Sequence, residues 1–398
     1  MSAHCRPEPR PEPAAGVAPV KPQAPKVMSA GIVVLMIVTL AAMVWLWPSA
    51  DQRPDPAPAG NPLSTATIVK IDGDTMTVRI DKGPDAGTTA MVPGAGELVE
   101  ELAIGDTVLV DGFGAGNDRS FYLVDLPRLT PLLALLGLFA LAVISVSRWH
   151  GVRALAGLAG SLAVVLGFIV PAVLAGRPPA TTALVGAVAI MITTLYLTHG
   201  RNAMTHSAIA GTTLALAATV GLAVVFLDAA RITGLSSHDA SAIQATLGGI
   251  DLRGLLLAGL IISALGVLDD VTVSQSSTVF ALHATDPSLS FTELFARAMT
   301  VGRDHIASVV NTLVLAYTGA SISLVLLFNL GGLPVTELLN AEVVATEIIR
   351  TLVGSLGLVA AVPATTAMAA YAAVGRDPST APAAEAADEV ETDVADSV

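Results

Sequence analysis

The sequence predicts an all-α polytopic membrane bundle of about eight transmembrane helices, with a small extracytoplasmic β-barrel-like domain after the first helix. Three observations carry this. The 398 residues are 53% hydrophobic and only 13% charged, against about 25% charged in soluble domains, and the mean hydropathy is +0.70. Uncharged stretches of bilayer length recur along the chain. Residues 63–127 alone break that pattern, with short β-rich runs between turn signals. The single cysteine, Cys5, excludes an intrachain disulfide and a cysteine metal site. A net charge of −13 without a basic stripe argues against nucleic-acid binding.

Residues 1–26 are rich in Pro and Ala and read as a disordered Pro-rich cytoplasmic tail. Val27 to Trp47 carries no charge and is long enough to cross a hydrocarbon core of about 30 Å at about 1.5 Å per residue. A cleaved signal peptide is the rival reading, but its apolar region would be about 7–15 residues, and Pro48-Ser49-Ala50 is a weak cleavage site. An uncleaved first helix is therefore expected, with Trp45 and Trp47 at the membrane interface. Residues 48–62 form a Pro-rich linker.

Within 63–127, Thr65 to Ile71 and Thr75 to Asp81 are β-rich runs joined by Asp72-Gly73-Asp74, a hairpin signal. Thr107 to Val110 and Phe121 to Val124 follow. A small antiparallel barrel of OB or SH3-like size is expected. Residues 128–375 predict seven further helices, at Leu129–Val146, Ala154–Leu174, Pro179–Leu197, Ser207–Leu227, Leu252–Gln275, Ile306–Leu327 and Glu347–Ala373. Asp239 to Ile250 reads as an interfacial or re-entrant piece. Residues 376–398 read as an acidic disordered cytoplasmic tail.

The charge is uneven. Residues 51–127 carry −8 and the tail from Arg376 carries −6, whereas 128–375 carry only −1. Short-loop cations set the orientation. With a cytoplasmic N-terminus, Lys21, Lys26, Arg148, Arg153, Arg201, Arg297, Arg303 and Arg376 fall inside, against Arg177, Arg231, Arg253 and Arg350 outside. Both termini are then cytoplasmic and the β domain lies outside.

The residues that a bilayer disfavours are the informative ones. Asp269 and Asp270 interrupt the apolar run from Leu255 to Leu268, and a central Asp costs about 2.5–3.5 kcal/mol on insertion scales. Helical spacing puts Asp269 with Thr272 and Ser276, and Asp270 with Ser274 and Ser277. Carboxylates with hydroxyls and the Gln275 amide offer an oxygen-rich environment suited to a proton or small cation. The competing reading places the pair at the cytoplasmic headgroups, merely marking a helix end. Asn311 and Thr318 on the next helix either line a site opposite the pair or form interhelical hydrogen bonds. Glu347 and Arg350, one turn apart, read as an interfacial ion pair.

No chemistry-bearing motif accompanies them. The sequence has no Gly-x-Ser-x-Gly, no Walker loop and no HExxH pattern, so neither an enzyme, a metal site nor a cofactor is expected. Two adjacent Asp on one helix do not make an intramembrane aspartyl protease, which needs them on different helices.

Three longer stretches carry a resemblance. Ile250-Asp251-Leu252-Arg253-Gly254-Leu255, continuing to Gly266-Val267-Leu268-Asp269-Asp270-Val271-Thr272-Val273-Ser274-Gln275, resembles the YibE/F-like family of bacterial multi-pass membrane proteins. So does Val310-Asn311-Thr312-Leu313 through Tyr317-Thr318-Gly319-Ala320-Ser321, together with the closing segment from Glu347 past Arg350 to Pro363. The likeness spans roughly residues 63–375. It implies a permease-like membrane protein and carries over no catalytic or binding residue.

The leading expectation is a permease or secondary transporter of unknown substrate, coupled to a proton or cation through Asp269 and Asp270, with Thr272, Gln275, Asn311 and Thr318 lining the path. The alternative is a non-catalytic membrane scaffold or export accessory protein that recruits an extracytoplasmic protein partner through its β domain. The expected partners are otherwise the lipid bilayer and a small solute or ion.

Overall fold

The computed structural model describes residues 25–49, 63–93, 102–114, 119–235, 238–332 and 334–375. The two expected tails, apart from Pro25 and Lys26, and most of the linker lie outside these residues. The chain divides into two compact units, Pro48–Leu155 and a second made of Met1–Trp47 with Ala156–Val398.

The first unit contains a five-stranded antiparallel sheet. Its strands are β1 (Ser64–Asp72), β2 (Thr75–Lys82), β3 (Thr89–Pro93), β4 (Thr107–Phe113) and β5 (Ser120–Asp125), in the order β3-β2-β1-β4-β5. The β1–β2 hairpin pairs Asp72 with Thr75, and Gly73 takes the positive φ that a tight turn requires. Alternation buries Ala66, Ile68, Met76, Val78, Ile80, Val92, Val108 and Val110 on one face. The expected closed barrel is corrected. β3 and β5 approach one another, but among the described residues no ladder joins them, so the sheet is open. Both edges are short, and Pro93, which lacks an N–H, ends β3. β3 itself escaped the sequence pattern because Thr89-Ala90-Met91-Val92-Pro93 is brief and lies against a Gly-rich turn.

Helix α1 (Lys26–Leu46) belongs to the second unit, and α2 (Leu129–Val164) runs from the first unit into it. α2 is interrupted at Arg148, whose φ of 50° and ψ of −128° are not helical. A π-turn, Val165–Ile169, leads into the short α3 (Val170–Leu174). Pro171 cannot donate to Gly167, and the widened π-turn absorbs that missing bond. Then come α4 (Pro179–His199), α5 (Ala203–Ala229), α6 (His238–Leu247), α7 (Leu252–Thr285), α8 (Phe291–Ala320), α9 (Ile322–Leu330), α10 (Val335–Asn340) and α11 (Glu342–Val374).

Local chemistry sets the ends that matter here. Gly200, at φ 75°, stops α4. The Asn202 side chain accepts from Thr205 N–H at 2.8 Å and starts α5. Asp251 caps α7 through Gly254 N–H at 2.9 Å. Ser290 and Glu293 form a reciprocal capping box that starts α8 at Phe291.

Among the described residues, six helical segments are long and apolar enough to cross a membrane: Lys26–Leu46, Leu129–Leu174, Pro179–His199, Ala203–Ala229, Leu252–Thr285 and Glu342–Val374. The expected spans at 129–146 and 154–174 fall within one 46-residue run. The expected span at 306–327 is divided, because α8 begins earlier at its capping box and breaks at Ser321. In the second unit α7 packs against α4, α5, α8 and α11, and α11 also packs against α5 and α8. Small residues allow this closeness. A Cβ on Gly211 would overlap Thr365, and one on Gly357 would overlap Thr219.

Candidate polar cavity between two apolar helices

α7 is 34 residues long, about 51 Å at about 1.5 Å per residue. Asp269 and Asp270 sit near its middle, so the pair does not mark a helix end. α4 is a 21-residue helix whose last turns carry Thr194, Thr198 and His199. Thr194 and Thr198 are four residues apart and share a face. Between these stretches lies a cavity of about 560 Å³. Its lining includes Thr194, Thr198 and His199 from α4 and Asp269, Asp270, Ser274, Ser277 and Thr278 from α7.

The Thr194 hydroxyl is shared, donating to the Ile190 carbonyl of its own helix at 2.8 Å and to Asp269 Oδ2 at 3.2 Å. The other carboxyl oxygen, Oδ1, is buried and has no hydrogen-bond partner among the described residues. A buried carboxyl oxygen left without a partner is costly whether the group is ionised or neutral. Asp270 is exposed beside it. Thr194 lies five residues before the end of α4, about 7.5 Å along the axis. The pair is therefore level with the last turns of α4.

The other expected site residues lie elsewhere. Thr272 is buried against α5, its hydroxyl 2.6 Å from that of Thr212. Gln275 is buried and donates to the Ala298 carbonyl at 3.1 Å and the Thr366 hydroxyl at 2.8 Å, tying α7 to α8 and α11. Ser276 donates to the Met204 carbonyl at 2.8 Å. These three anchor the flank of α7 that packs on protein, and they do not line the cavity. Asn311 is exposed on α8. Thr318 is also exposed, donates to its own helix at Val314, and borders a different cavity of about 310 Å³ with Glu347. Neither meets the Asp pair. Arg350 contacts Glu347 at 2.8 Å, one turn away.

Sequence reading missed the α4 half of the site. Thr194 and Thr198 were one more pair of hydroxyls in an apolar segment, and nothing in the sequence says which helix faces Asp269. The Asp270, Ser274 and Ser277 face was legible, and it is the one that lines the cavity. Among the described residues, no group of three or more His, Cys, Asp or Glu side chains is arranged to hold a metal ion.

Fold and site define a helical membrane protein with a polar cavity between two of its apolar helices. The family model of the YibE/F-like proteins matches residues 135–375, more than half of the chain, and the chain belongs to that family. The match begins beyond the β strands and contains the whole cavity; the likeness expected over residues 63–134 is not part of it. No curated protein and no solved structure matches the chain.

Proposed function

We propose that this protein is a multi-pass permease or secondary transporter, without enzymatic activity, in which Asp269 takes up a proton or small cation that is coupled to or is itself the transported species. The observation that carries the reading is the buried, unpartnered Oδ1 of Asp269 at a hydroxyl-lined cavity inside an apolar bundle. Charged groups at membrane depth are expensive and tend to mark ion or substrate paths. Asp270, Ser274 and Ser277 supply oxygen ligands on the same wall, and Thr194 and Thr198 supply them on the facing one. The cation balance of the short loops favours cytoplasmic termini and an outside β unit, and the family resemblance favours a bacterial plasma membrane.

Flux into proteoliposomes under an imposed pH or sodium gradient tests this. Asp269→Asn should abolish flux and Asp270→Asn should slow it. Unchanged flux in the double variant of a transporting protein would remove the assigned role.

A second reading rests on the β unit. Phe113 and Tyr122 stand exposed, 60% and 44%, on its outer face with ring centroids 5.9 Å apart. Exposed paired aromatics favour protein contact, so the protein would act as a scaffold or export accessory that recruits an extracytoplasmic partner. Full-length protein with Phe113→Ser and Tyr122→Ser would then lose a specific co-purifying protein while keeping its fold. If flux fails to appear in any gradient and this loss is seen, the scaffold reading replaces the transporter.

A further inference from the structure

A second groove differs in chemistry from the Asp269 cavity. α1 runs antiparallel to α4. Its Leu46 end packs on Phe168 and Ile169 beside Val185, and its Met28 end reaches Ile209 near the start of α5. Along the two helices lies a groove of about 580 Å³, walled by apolar side chains of α1 between Val33 and Met43 and by Ala189 and Ile192 of α4. That volume is within the range of about 300–1,000 Å³ typical of ligand sites.

One end of the groove is cationic. Arg201 stacks over the Tyr196 ring at 5.5 Å, and His206 meets the same ring edge-on at 5.8 Å. His206 Nδ1 is buried with no hydrogen-bond partner among the described residues. Arg201 forms no ion pair with a described carboxylate. It directly precedes Asn202, the cap of the 27-residue α5, so the positive end of that helix lies at the same place. Lys26, exposed at the start of α1, adds a further charge at this end.

We propose that this groove holds one anionic phospholipid, one acyl chain along α1 and α4 and its phosphate on Arg201. A neutral lipid would match the apolar walls, but it would leave the guanidinium and the helix end without a counter-charge. Charge complementarity therefore selects an anionic headgroup. In the orientation favoured by the short-loop cations, Arg201 faces the cytoplasmic leaflet, where anionic lipids reside.

Native mass spectrometry of the full-length protein, supplied in neutral detergent with phosphatidylglycerol or phosphatidylcholine, tests the site. One phosphatidylglycerol per chain should be retained, and phosphatidylcholine should bind at least about five-fold more weakly. Arg201→Gln should weaken phosphatidylglycerol retention by about five-fold, the factor one surface cation supplies, and Arg201→Lys should restore it. Ala189→Trp, which fills the groove and keeps the charge, should displace the lipid; it decides the matter if Arg201→Gln fails to fold. Equal retention of both lipids, or undiminished retention in Ala189→Trp, overturns the proposal. So does full displacement of phosphatidylglycerol by an equal concentration of inorganic phosphate, which would leave a simple anion site.

Discussion

Gly211 of α5 lies against Thr365 of α11 with no room for a side chain between them. Eight residues further along each helix in the antiparallel sense, Thr219 lies against Gly357 in the same way. Each helix thus gives one glycine and one threonine, and the two backbones approach closely at both points. Gly211→Ala should destabilise the protein by about 1–3 kcal/mol, the usual cost of overpacking. Adding Thr365→Ala removes the hydroxyl that clashes and should return part of that loss. A double-mutant cycle on thermal or denaturant unfolding in detergent checks this, with a coupling of about 0.5–3 kcal/mol expected for residues in contact. Strictly additive losses would show that the contact is looser.

Thr194 makes the one hydrogen bond recorded to the Asp269 carboxyl among the described residues. Hydrogen bonds to charged groups are worth about 1.5–3 kcal/mol, so Thr194→Val should change flux by at least about ten-fold at fixed pH. Thr318→Val, whose hydroxyl among the described residues bonds only Val314 on its own helix and borders a different cavity, should leave flux within about two-fold. The comparison separates the cavity from the path across α8 that the sequence alone proposed. Equal effects from both variants would restore that path.

Gln275 is expected to behave as a structural tie. Leucine there leaves the Ala298 carbonyl and the Thr366 hydroxyl without this donor, at a cost of about 1–3 kcal/mol. Gln275→Leu should therefore lower the unfolding midpoint while flux per folded molecule is kept. A flux loss without a stability loss would return Gln275 to the transport path.

The β unit carries a pH dependence of definite sign. The Thr67 hydroxyl donates to Asp81, and Arg79 adds a weaker contact, so the Asp81 carboxyl is held below its ordinary value. A carboxyl lowered in the folded state stabilises above its unfolded value of about 3.9 and loses that contribution as pH falls through the lower folded value. Thr67→Val should then reduce protection of the β1 and β2 amides near pH 6, with the deficit closing below about pH 4. Hydrogen exchange of variant and wild type compared at each pH reads this out. A deficit that persists undiminished into acid would assign it to lost packing.

The Asp pair illustrates how far residues alone reach. Hydropathy located an apolar helix around Asp269, and helical spacing grouped Asp270 with Ser274 and Ser277, the face that lines the cavity. Spacing grouped Asp269 with Thr272 and Ser276 equally well, yet those two turn to α5. Periodicity assigns residues to faces of one helix. It does not say which neighbour each face meets, because in an apolar bundle nearly every face is apolar. The same limit hid the cationic end of the α1–α4 groove, whose Arg201 reads in sequence only as a short-loop cation.

What the sequence determined by itself is the solvent and the local grammar. Scarce charge and long apolar runs require helices whose backbone groups are satisfied internally, and the Asp72-Gly73-Asp74 turn requires a hairpin. The caps at Asn202, Asp251 and Ser290 are likewise local chemistry. Tertiary structure decided the rest. It left the sheet open, since closure depends on two short edges meeting. It gave Asp269 the α4 threonine as its partner and made Gln275 a tie among three helices. Those outcomes depend on close approach between segments distant in sequence, set by glycines and side-chain volumes that no single helix carries.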